Sequence, residues 1–223
     1  MDGLRVVRLK DLASQAPPGL DLSVVIPVYD EQDSIGPLHA EVDAALVAAD
    51  IVFELIFVDD GSTDQSLAIL RNLEASDSRV RVIALSRNSG QSVALAAGFA
   101  AVRAPITATL DADLQNDPAD LPGMLGYLDR ADVVNGVRMS RQDTWVRRLS
   151  STIANRVRNA ATGESVTDIG CSLRVMRTVI LKRVELTPRM HRFLPTLMRL
   201  EGARIIEIPV SHRPRRYGVS KYG

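Results

Sequence analysis

Short apolar runs alternate with longer amphipathic segments over the first 137 residues of the chain. The apolar runs, rich in Val, Ile and Leu, predict buried strands at 22–27, 51–58, 80–85, 105–110 and 131–137. The amphipathic segments predict helices at 33–49, 64–76, 91–102 and 118–130. Strands that alternate with helices in this way predict an α/β fold, a doubly wound and mainly parallel sheet with helices on both faces.

The alternation stops near Arg138, and the rest of the chain follows a different pattern. A basic helix at 144–161, an irregular turn at 163–170, helices at 178–184 and 191–200 and a last strand at 203–210 are predicted there. We expect an N-terminal extension over 1–21, one domain over 22–210 and a basic segment over 211–223. The domain is expected to consist of two halves, 22–137 and 138–210. A chain of this length suits a single domain with an elaborated C-terminal part.

The composition is that of a globular protein with a full core. Apolar residues make up 46% of the 223 residues and charged residues 24%. The single cysteine, Cys171, excludes an intramolecular disulfide, and we expect it to pack in the core. The sequence shows no signal-peptide pattern, and no run approaches the roughly 18 apolar residues of a membrane span.

Positive and negative charges are separated along the chain, although the net charge is zero. Residues 1–137 carry 21 acidic and 9 basic side chains, whereas residues 138–223 carry 6 acidic and 18 basic ones. An acidic half that binds a metal and a basic half that binds phosphates would give this separation, and so would two halves that pair across an interface. A basic surface also predicts peripheral contact with anionic lipid headgroups. The few aromatic residues and the absence of a nucleic-acid motif argue against nucleic acid.

Two carboxylates directly follow the predicted strand at 105–110, in the sequence Asp111-Ala112-Asp113. In open α/β sheets, ligands bind at the carboxyl ends of the strands. Hard oxygen ligands there suit Mg²⁺ or Mn²⁺, and such an ion suits a diphosphate. We expect Asp113 and Gln115 to be the metal ligands and Asp111 to contact a ribose or a sugar.

Polar side chains also follow the other predicted strands. Pro27 ends the first strand, and Tyr29 and Glu31 are expected above the sheet, where a nucleobase could stack. Asp59-Asp60 ends the second strand, and one of these acids is predicted to face the base or ribose. Arg138 ends the fifth strand and is either a phosphate contact or a solvated surface residue.

The C-terminal segment 211–223 concentrates cations in a short stretch that glycine and proline interrupt. Its charged members include Arg213, Arg215, Arg216 and Lys221. A loop of this kind that closes over a diphosphate is one interpretation, and a frayed C-terminus is the other.

The segments 25–31 (VIPVYDE), 58–64 (VDDGSTD), 111–115 (DADLQ) and 215–221 (RRYGVSK) together resemble family 2 glycosyltransferases. The order and spacing of these motifs are similar to the branch that contains dolichyl-phosphate mannose synthases and polyprenyl-phosphate glycosyltransferases. The resemblance covers roughly residues 22–223. It implies a GT-A fold, inversion at the anomeric carbon, a nucleoside-diphosphate sugar as donor and a polyprenyl phosphate as acceptor.

The resemblance also implies roles for individual residues. The nucleotide would be lined by Pro27, Tyr29, Glu31, Val58 and Asp60. The ribose and diphosphate would be held by Asp111, Ala112 and Asp113, and Mg²⁺ or Mn²⁺ by Asp113 and Gln115. Phosphates would be contacted by Arg138, Arg215 and Lys221. The predicted catalytic residues are Asp111, Asp113 and Arg138.

Two other functions remain open at the level of the sequence. A family 2 enzyme that acts on a sugar or protein hydroxyl would need a carboxylate base, for which Asp168 is the candidate. A non-catalytic nucleotide-binding module would need no base. The main hypothesis is transfer of a single sugar to a lipid phosphate, by a cytoplasmic protein at the inner face of the membrane. A phosphate acceptor is already anionic, so this reaction needs no base.

Overall fold

The computed structural model describes residues 19–138, 168 and 170–218. Within these residues the strands are β1 (Leu22–Val28), β2 (Phe53–Asp59), β3 (Val80–Ala84), β4 (Ile106–Thr109), β5 (Val133–Arg138), β6 (Arg174–Arg177) and β7 (Ile205–Val210). The helices are α1 (Gln32–Ala48), α2 (Ser66–Ser76), α3 (Gln91–Ala101), α4 (Leu121–Leu125), α5 (Thr178–Leu181) and α6 (Leu194–Leu200). Short 3-10 turns lie at Pro118–Asp120, Gly126–Asp129 and His191–Phe193.

The described strands form one sheet in the order β3-β2-β1-β4-β6-β5-β7. Strands β1 to β4 run parallel, β6 runs antiparallel to both of its neighbours, and β7 runs parallel to β5. The predicted mainly parallel, doubly wound sheet is therefore confirmed. One edge of the sheet collects the carboxyl ends of β1, β2, β4 and β5 together with the beginning of β6.

The core lies on both faces of the sheet because successive side chains of a strand point to opposite faces. On β2, Leu55 and Phe57 pack with α1, α2 and α4 on one face, whereas Ile56 and Val58 pack with α3, α5 and α6 on the other. Every residue of β1 and β2 is buried. This explains why these strands appear in the sequence as continuous apolar runs.

Helix α3 packs unusually closely on the sheet. A Cβ atom at Gly98 would overlap the side chain of Val25 and would lie 3.2 Å from Cγ2 of Val58. The glycine and alanine residues of this helix therefore bring its backbone close to β1 and β2.

The structure corrects the sequence-based prediction at two elements. The strand β6 was not predicted, although it joins β4 to β5 in the middle of the sheet. The predicted helix at 118–130 is broken into a 3-10 turn, the short α4 and a second 3-10 turn. Pro122, Gly123 and Gly126 interrupt the segment, and such residues disfavour a continuous helix.

Some predicted segments fall partly or wholly outside the described residues. These are most of the N-terminal extension, the basic helix at 144–161, most of the turn at 163–170 and residues 219–223. The sheet continues across the predicted boundary between the two halves, since β5 pairs with both β6 and β7. The domain boundaries themselves stay a prediction.

Candidate active site

A cavity of about 190 Å³ opens at the edge of the sheet where β1 and β4 end and β6 begins. The residues of its wall come from six segments of the chain. They are Pro27, Tyr29, Glu31, Gln91, Leu95, Thr109, Leu110, Asp111, Ala112, Asp113, Gln115, Gly170, Cys171, Ser172, Arg174, His191, Arg192 and Arg215. Most of the residues predicted from the sequence are therefore brought together at one place.

Asp111 lines this cavity, two residues after the end of β4. Its Oδ1 accepts a 2.7 Å hydrogen bond from Nε2 of Gln91, at the beginning of α3. Burial raises the pKa of Asp111 to about 6, and the neighbouring charge of Asp113 acts in the same direction. The side chain is thus held in a polar but poorly hydrated position, suited to a ligand that carries hydroxyl groups or positive charge.

Asp113 is the second carboxylate and is also largely buried. Its Oδ1 accepts a hydrogen bond from the backbone N–H of Gln115 at 3.1 Å. The residue between them, Leu114, has a φ of +61° and is buried in the core. A left-handed backbone at a non-glycine residue is strained and often occurs at functional sites. Here it turns the chain so that Leu114 enters the core.

The first strand supplies another part of the wall. Pro27, Tyr29 and Glu31 all line the cavity, at the end of β1 and in the turn to α1. The neighbouring Asp30, with a φ of +50°, accepts hydrogen bonds at Oδ1 from the backbone N–H groups of Thr63 and Asp64. The β1–α1 turn and the β2–α2 turn are thereby held together.

Val58 and Asp60, predicted to line the nucleotide, do not belong to the wall of this cavity. The side chain of Val58 is fully buried in the core beneath α3. Asp60 is fully buried and accepts hydrogen bonds from the backbone N–H groups of Ser89 (2.8 Å) and Gly90 (2.9 Å). Among the described residues, it is the neighbouring Asp59 that keeps a buried oxygen, Oδ1, without a hydrogen-bond partner.

The described part of the C-terminal segment lies against the acidic side of the cavity. Nη1 of Arg215 donates to Oε1 of Glu31 at 2.8 Å, and Nη2 donates to Oδ2 of Asp113 at 2.9 Å. Arg213 forms ion pairs with Glu41 and Asp117. The backbone N–H of Arg213 also donates to the carbonyl of Gln115 at 2.7 Å. Lys221, the other predicted phosphate contact of this segment, lies outside the described residues.

Arg138 ends β5 and borders a smaller cavity beside Asp111 and Asp113. Its guanidinium is held by Asp168, through Nε to Oδ2 and Nη2 to Oδ1, both at 2.8 Å. Arg138 is therefore near the site, and its contact with a phosphate stays a prediction. Asp168 is largely buried, and both of its carboxylate oxygens accept hydrogen bonds from Arg138. This arrangement disfavours Asp168 as a general base.

Several residues of the cavity were not predicted. Arg174 is buried at the start of β6, where it donates to Oδ1 of Asn135 and to the carbonyl of His191. Nδ1 of His191 lies 2.9 Å from the hydroxyl of Ser92. Burial lowers the pKa of His191 to about 4, helped by the charges of Arg192 and Arg174, so its imidazole is neutral at pH 7. The sequence feature that could have indicated one of these residues is the position of Arg174, an arginine within an apolar stretch.

Cys171 is buried beside this site, as predicted. Burial raises the pKa of its thiol to about 11, which keeps the thiol protonated and unreactive at neutral pH.

The side chains present fit a divalent cation that arrives together with a phosphate ligand. Within the described ranges, no group of three or more acidic, histidine or cysteine side chains forms a metal-binding cluster. Mg²⁺ is commonly held by one or two carboxylates, with substrate phosphates and water completing its coordination. The carboxylate of Asp113 already interacts with a positive group, the guanidinium of Arg215, at 2.9 Å.

No helix in the described part of the chain has both the length and the apolar character required to cross a bilayer.

Sequence comparison defines the class of protein to which this fold and site belong. Residues 23–185 match glycosyl transferase family 2, and the chain belongs to this family. The resemblance drawn from the motifs is thereby confirmed.

Two curated relatives are polyprenyl-phosphate sugar transferases. The dodecaprenyl-phosphate galacturonate synthase of Rhizobium johnstonii is 42% identical over 92% of this chain and 62% of its own length. The undecaprenyl-phosphate 4-deoxy-4-formamido-L-arabinose transferase of Edwardsiella ictaluri is 42% identical over 91% of this chain and 63% of its own length. The chain thus spans a little over three fifths of these relatives.

Solved structures confirm the GT-A fold. Glucosyl-3-phosphoglycerate synthase from Mycobacterium tuberculosis, in complex with Mn²⁺, UDP and phosphoglyceric acid, matches with a TM-score of 0.68 and 21% identity. This match covers 98% of the present chain and 77% of that chain. A mannosyltransferase from Pyrobaculum calidifontis, in complex with GDP-Man and Mn²⁺, matches with a TM-score of 0.64 and 18% identity, over 91% and 60% of the two chains.

Proposed function

We propose that this chain catalyses the transfer of one sugar from a nucleoside-diphosphate sugar to a polyprenyl phosphate, with Mg²⁺ or Mn²⁺ as cofactor. The observation that carries the proposal is the cluster of Glu31, Asp113 and Arg215 at the carboxyl edge of the sheet. It combines a candidate metal ligand with a cation that can bind a diphosphate. The names of the two curated relatives support the lipid phosphate as acceptor.

The donor would bind across the ends of β1 and β4. Tyr29 lines the cavity and offers a ring for a nucleobase, and Asp111 can accept hydrogen bonds from sugar or ribose hydroxyl groups. Asp113 and Gln115 would hold the cation, which when bound neutralises charge on the diphosphate. Arg215 can add a charge-assisted hydrogen bond to the same group. The two relatives are named for different sugars, galacturonate and 4-deoxy-4-formamido-L-arabinose.

The lipid phosphate is already anionic, so no side chain of the protein has to remove a proton from it. A phosphate oxygen of the lipid attacks the anomeric carbon, the bond from that carbon to the diphosphate breaks, and the configuration inverts. The leaving diphosphate takes the electron pair of the broken bond. His191 is a weak base because its pKa is lowered to about 4, and Asp168 is held by Arg138, so both are poorly suited to deprotonate a hydroxyl acceptor. These two features favour the phosphate acceptor over the hydroxyl acceptor.

We propose that the reaction takes place at the inner, cytoplasmic face of the membrane. The basic half of the chain supports this location, because anionic headgroups attract basic protein surfaces.

Transfer of radiolabel from UDP-sugars and GDP-sugars, measured with and without undecaprenyl phosphate, tests the proposed function. Label should enter the lipid only with wild-type protein, Mn²⁺ and undecaprenyl phosphate together, and Asp113→Ala should abolish it. Label that enters a sugar or peptide hydroxyl instead would identify the alternative acceptor. If no donor binds and none shifts the melting temperature, the proposed enzyme activity is wrong.

A further inference from the structure

We propose that Glu31 is a positioning residue that acts through Arg215. When a divalent cation displaces Arg215 from Asp113, the carboxylate of Glu31 keeps the guanidinium of Arg215 beside the cavity. The inference rests on the proposed function for the presence of the cation. It assigns to Glu31 a task other than direct contact with the nucleotide.

The first observation is that Arg215 is shared between two carboxylates from two different strand ends. Glu31 follows β1 and Asp113 follows β4, and their distances to the guanidinium are 2.8 and 2.9 Å. All three side chains are largely shielded from water, with relative exposures of 20% for Arg215, 10% for Glu31 and 11% for Asp113. In such surroundings ion pairs are stronger than at a free surface.

The second observation is that Glu31 is fixed in place before any ligand arrives. Its backbone N–H donates to the hydroxyl of Ser66 at 2.9 Å, and its Oε2 accepts from the hydroxyl of Ser34 at 3.3 Å. Both serines are fully buried. Glu31 occupies the N-cap position of α1, yet its side chain makes no capping hydrogen bond. The carboxylate thus makes no hydrogen bond to the backbone of the helix end, and its Oε1 accepts from Arg215.

Both carboxylate oxygens of Asp113 are already engaged. Oδ1 of Asp113 accepts from the backbone of Gln115 and Oδ2 accepts from Arg215. A divalent cation bound at Oδ2 would repel the guanidinium, since like charges within about 4–6 Å disfavour each other strongly. The cation and Arg215 therefore compete for Asp113. Once the cation is bound, Glu31 is the carboxylate that still holds Arg215.

The rest of the segment can stay in place during this exchange. Arg213 is anchored two residues earlier by Glu41 and Asp117, outside the cavity. Arg215 then needs only to turn its side chain from Asp113 toward the diphosphate, while Glu31 limits how far it moves.

Binding of Mn²⁺ alone, followed by electron paramagnetic resonance, tests the competition. Arg215→Gln removes the guanidinium that competes for Asp113, so this variant should bind Mn²⁺ at least about threefold more tightly than wild type. Glu31→Gln removes a nearby negative charge but no ligand, so it should weaken Mn²⁺ binding by no more than about threefold, far less than Asp113→Asn. If Glu31→Gln loses Mn²⁺ affinity as Asp113→Asn does, Glu31 is itself a metal ligand and the proposal is overturned.

Calorimetric titration with UDP or GDP in saturating Mn²⁺ tests the positioning role. Glu31→Gln and Arg215→Gln should each weaken diphosphate binding about tenfold, and the double variant should be no weaker than Arg215→Gln alone, because groups that act as a unit are non-additive. Additive losses would show that Glu31 acts without Arg215. Glu41→Gln is the matched control, a carboxylate of α1 that pairs with the same segment through Arg213, and its diphosphate affinity should match wild type.

Tryptic cleavage after Arg215, followed by mass spectrometry, separates this inference from the proposed function, because trypsin must bind the free side chain of this arginine. With Mn²⁺ and no nucleotide, cleavage after Arg215 should stay as slow as without metal in wild type and become faster in Glu31→Gln. If neither UDP nor GDP binds wild type, the proposed function fails while this cleavage result still decides the role of Glu31. Equal cleavage rates in the two proteins would overturn the inference.

Discussion

At the scale of single residues, the adjacent carboxylates Asp59 and Asp60 at the end of β2 make different hydrogen bonds. Asp60 accepts two backbone hydrogen bonds from the turn that precedes α3, whereas Asp59 accepts one from Ser62 and keeps a second oxygen without a hydrogen bond in the described structure. The sequence could not distinguish them, because the turn at Ser89 and Gly90 lies about thirty residues further along the chain.

We expect Asp60→Ala to lower the free energy of unfolding by at least about 3 kcal/mol, because Asp60 accepts two backbone hydrogen bonds and hydrogen bonds to a charged acceptor contribute about 1.5–3 kcal/mol each. Asp59→Asn, which keeps an acceptor for the backbone of Ser62, should cost less than about 1 kcal/mol. Urea unfolding followed by circular dichroism measures both. If Asp60→Ala unfolds like wild type but no longer binds UDP or GDP, Asp60 contacts the nucleotide, as the family resemblance implies.

His191 predicts a pH dependence of stability. Its pKa is lowered from 6.5 to about 4 in the folded protein, so between these values the unfolded chain binds more protons and stability falls as the pH falls. From pH 7 to pH 5 this residue should cost about 1–2 kcal/mol.

His191→Gln, which can still bond to Ser92, should reduce that pH-dependent loss by the same amount. Urea unfolding of both proteins at pH 7 and pH 5 isolates the contribution, since the remaining titratable groups are shared. Parallel losses in the two proteins would show that His191 is not buried in its neutral form.

At the scale of elements, the close approach of α3 to the sheet gives a matched pair of glycine substitutions. Gly98→Ala places a methyl group against Val25 and should lower stability by about 1–3 kcal/mol, the usual cost of overpacking. Gly123 in α4 has open space around its Cβ position, so Gly123→Ala should be neutral or stabilise by up to about 1 kcal/mol. Thermal unfolding compares the two. Equal melting temperatures for both variants would contradict the close packing of α3.

The elements that could be predicted from the sequence are those whose local pattern matches their surroundings. Strands β1 and β2 are buried on both faces and appear as continuous apolar runs. Strand β6 could not be predicted, because it is short, contains the buried Arg174 and is defined by pairing with β4 and β5. The helix expected at 118–130 was overpredicted because its apolar residues are buried as in a helix, while Pro122 and Gly126 break the backbone.

The residues of the candidate site likewise divide into those that a local sequence pattern predicts and those that it does not. Asp111, Asp113 and Glu31 directly follow strands, so the sequence predicts their meeting at the carboxyl edge of a parallel sheet. Gln91 reaches the cavity from α3, His191 from the 3-10 turn that precedes α6, and Arg174 from β6. Their positions depend on how these elements pack. No local pattern carries that information.

At the scale of the whole molecule, the separation of charge along the chain has two consequences. Part of it is used within the fold, since Arg177, Arg204, Arg213 and Arg215 of the basic half pair with carboxylates of the acidic half. This agrees with the simpler interpretation, in which the two halves pair with each other. Other cations, Arg183, Arg189 and Arg192, are exposed on the segment between α5 and α6. The apolar side chains of Val179 and Leu200 are exposed on the same two helices.

We therefore predict that the protein binds anionic membranes peripherally and that the exposed cations of this segment contribute. Each basic residue near an anionic surface adds about 1 kcal/mol, so Arg183→Glu with Arg189→Glu should weaken binding to phosphatidylglycerol vesicles by more than about tenfold. Co-sedimentation at 50 mM and 500 mM salt measures the effect, and wild-type binding should fall at high salt because the attraction is screened.

Arg130→Glu is the control, an exposed arginine of the acidic half whose charge reversal should leave membrane binding close to wild type. If wild type and the double variant sediment equally at low salt, the segment between α5 and α6 does not face the membrane. If wild type does not sediment at all, the described basic surface is used only within the protein and for phosphates.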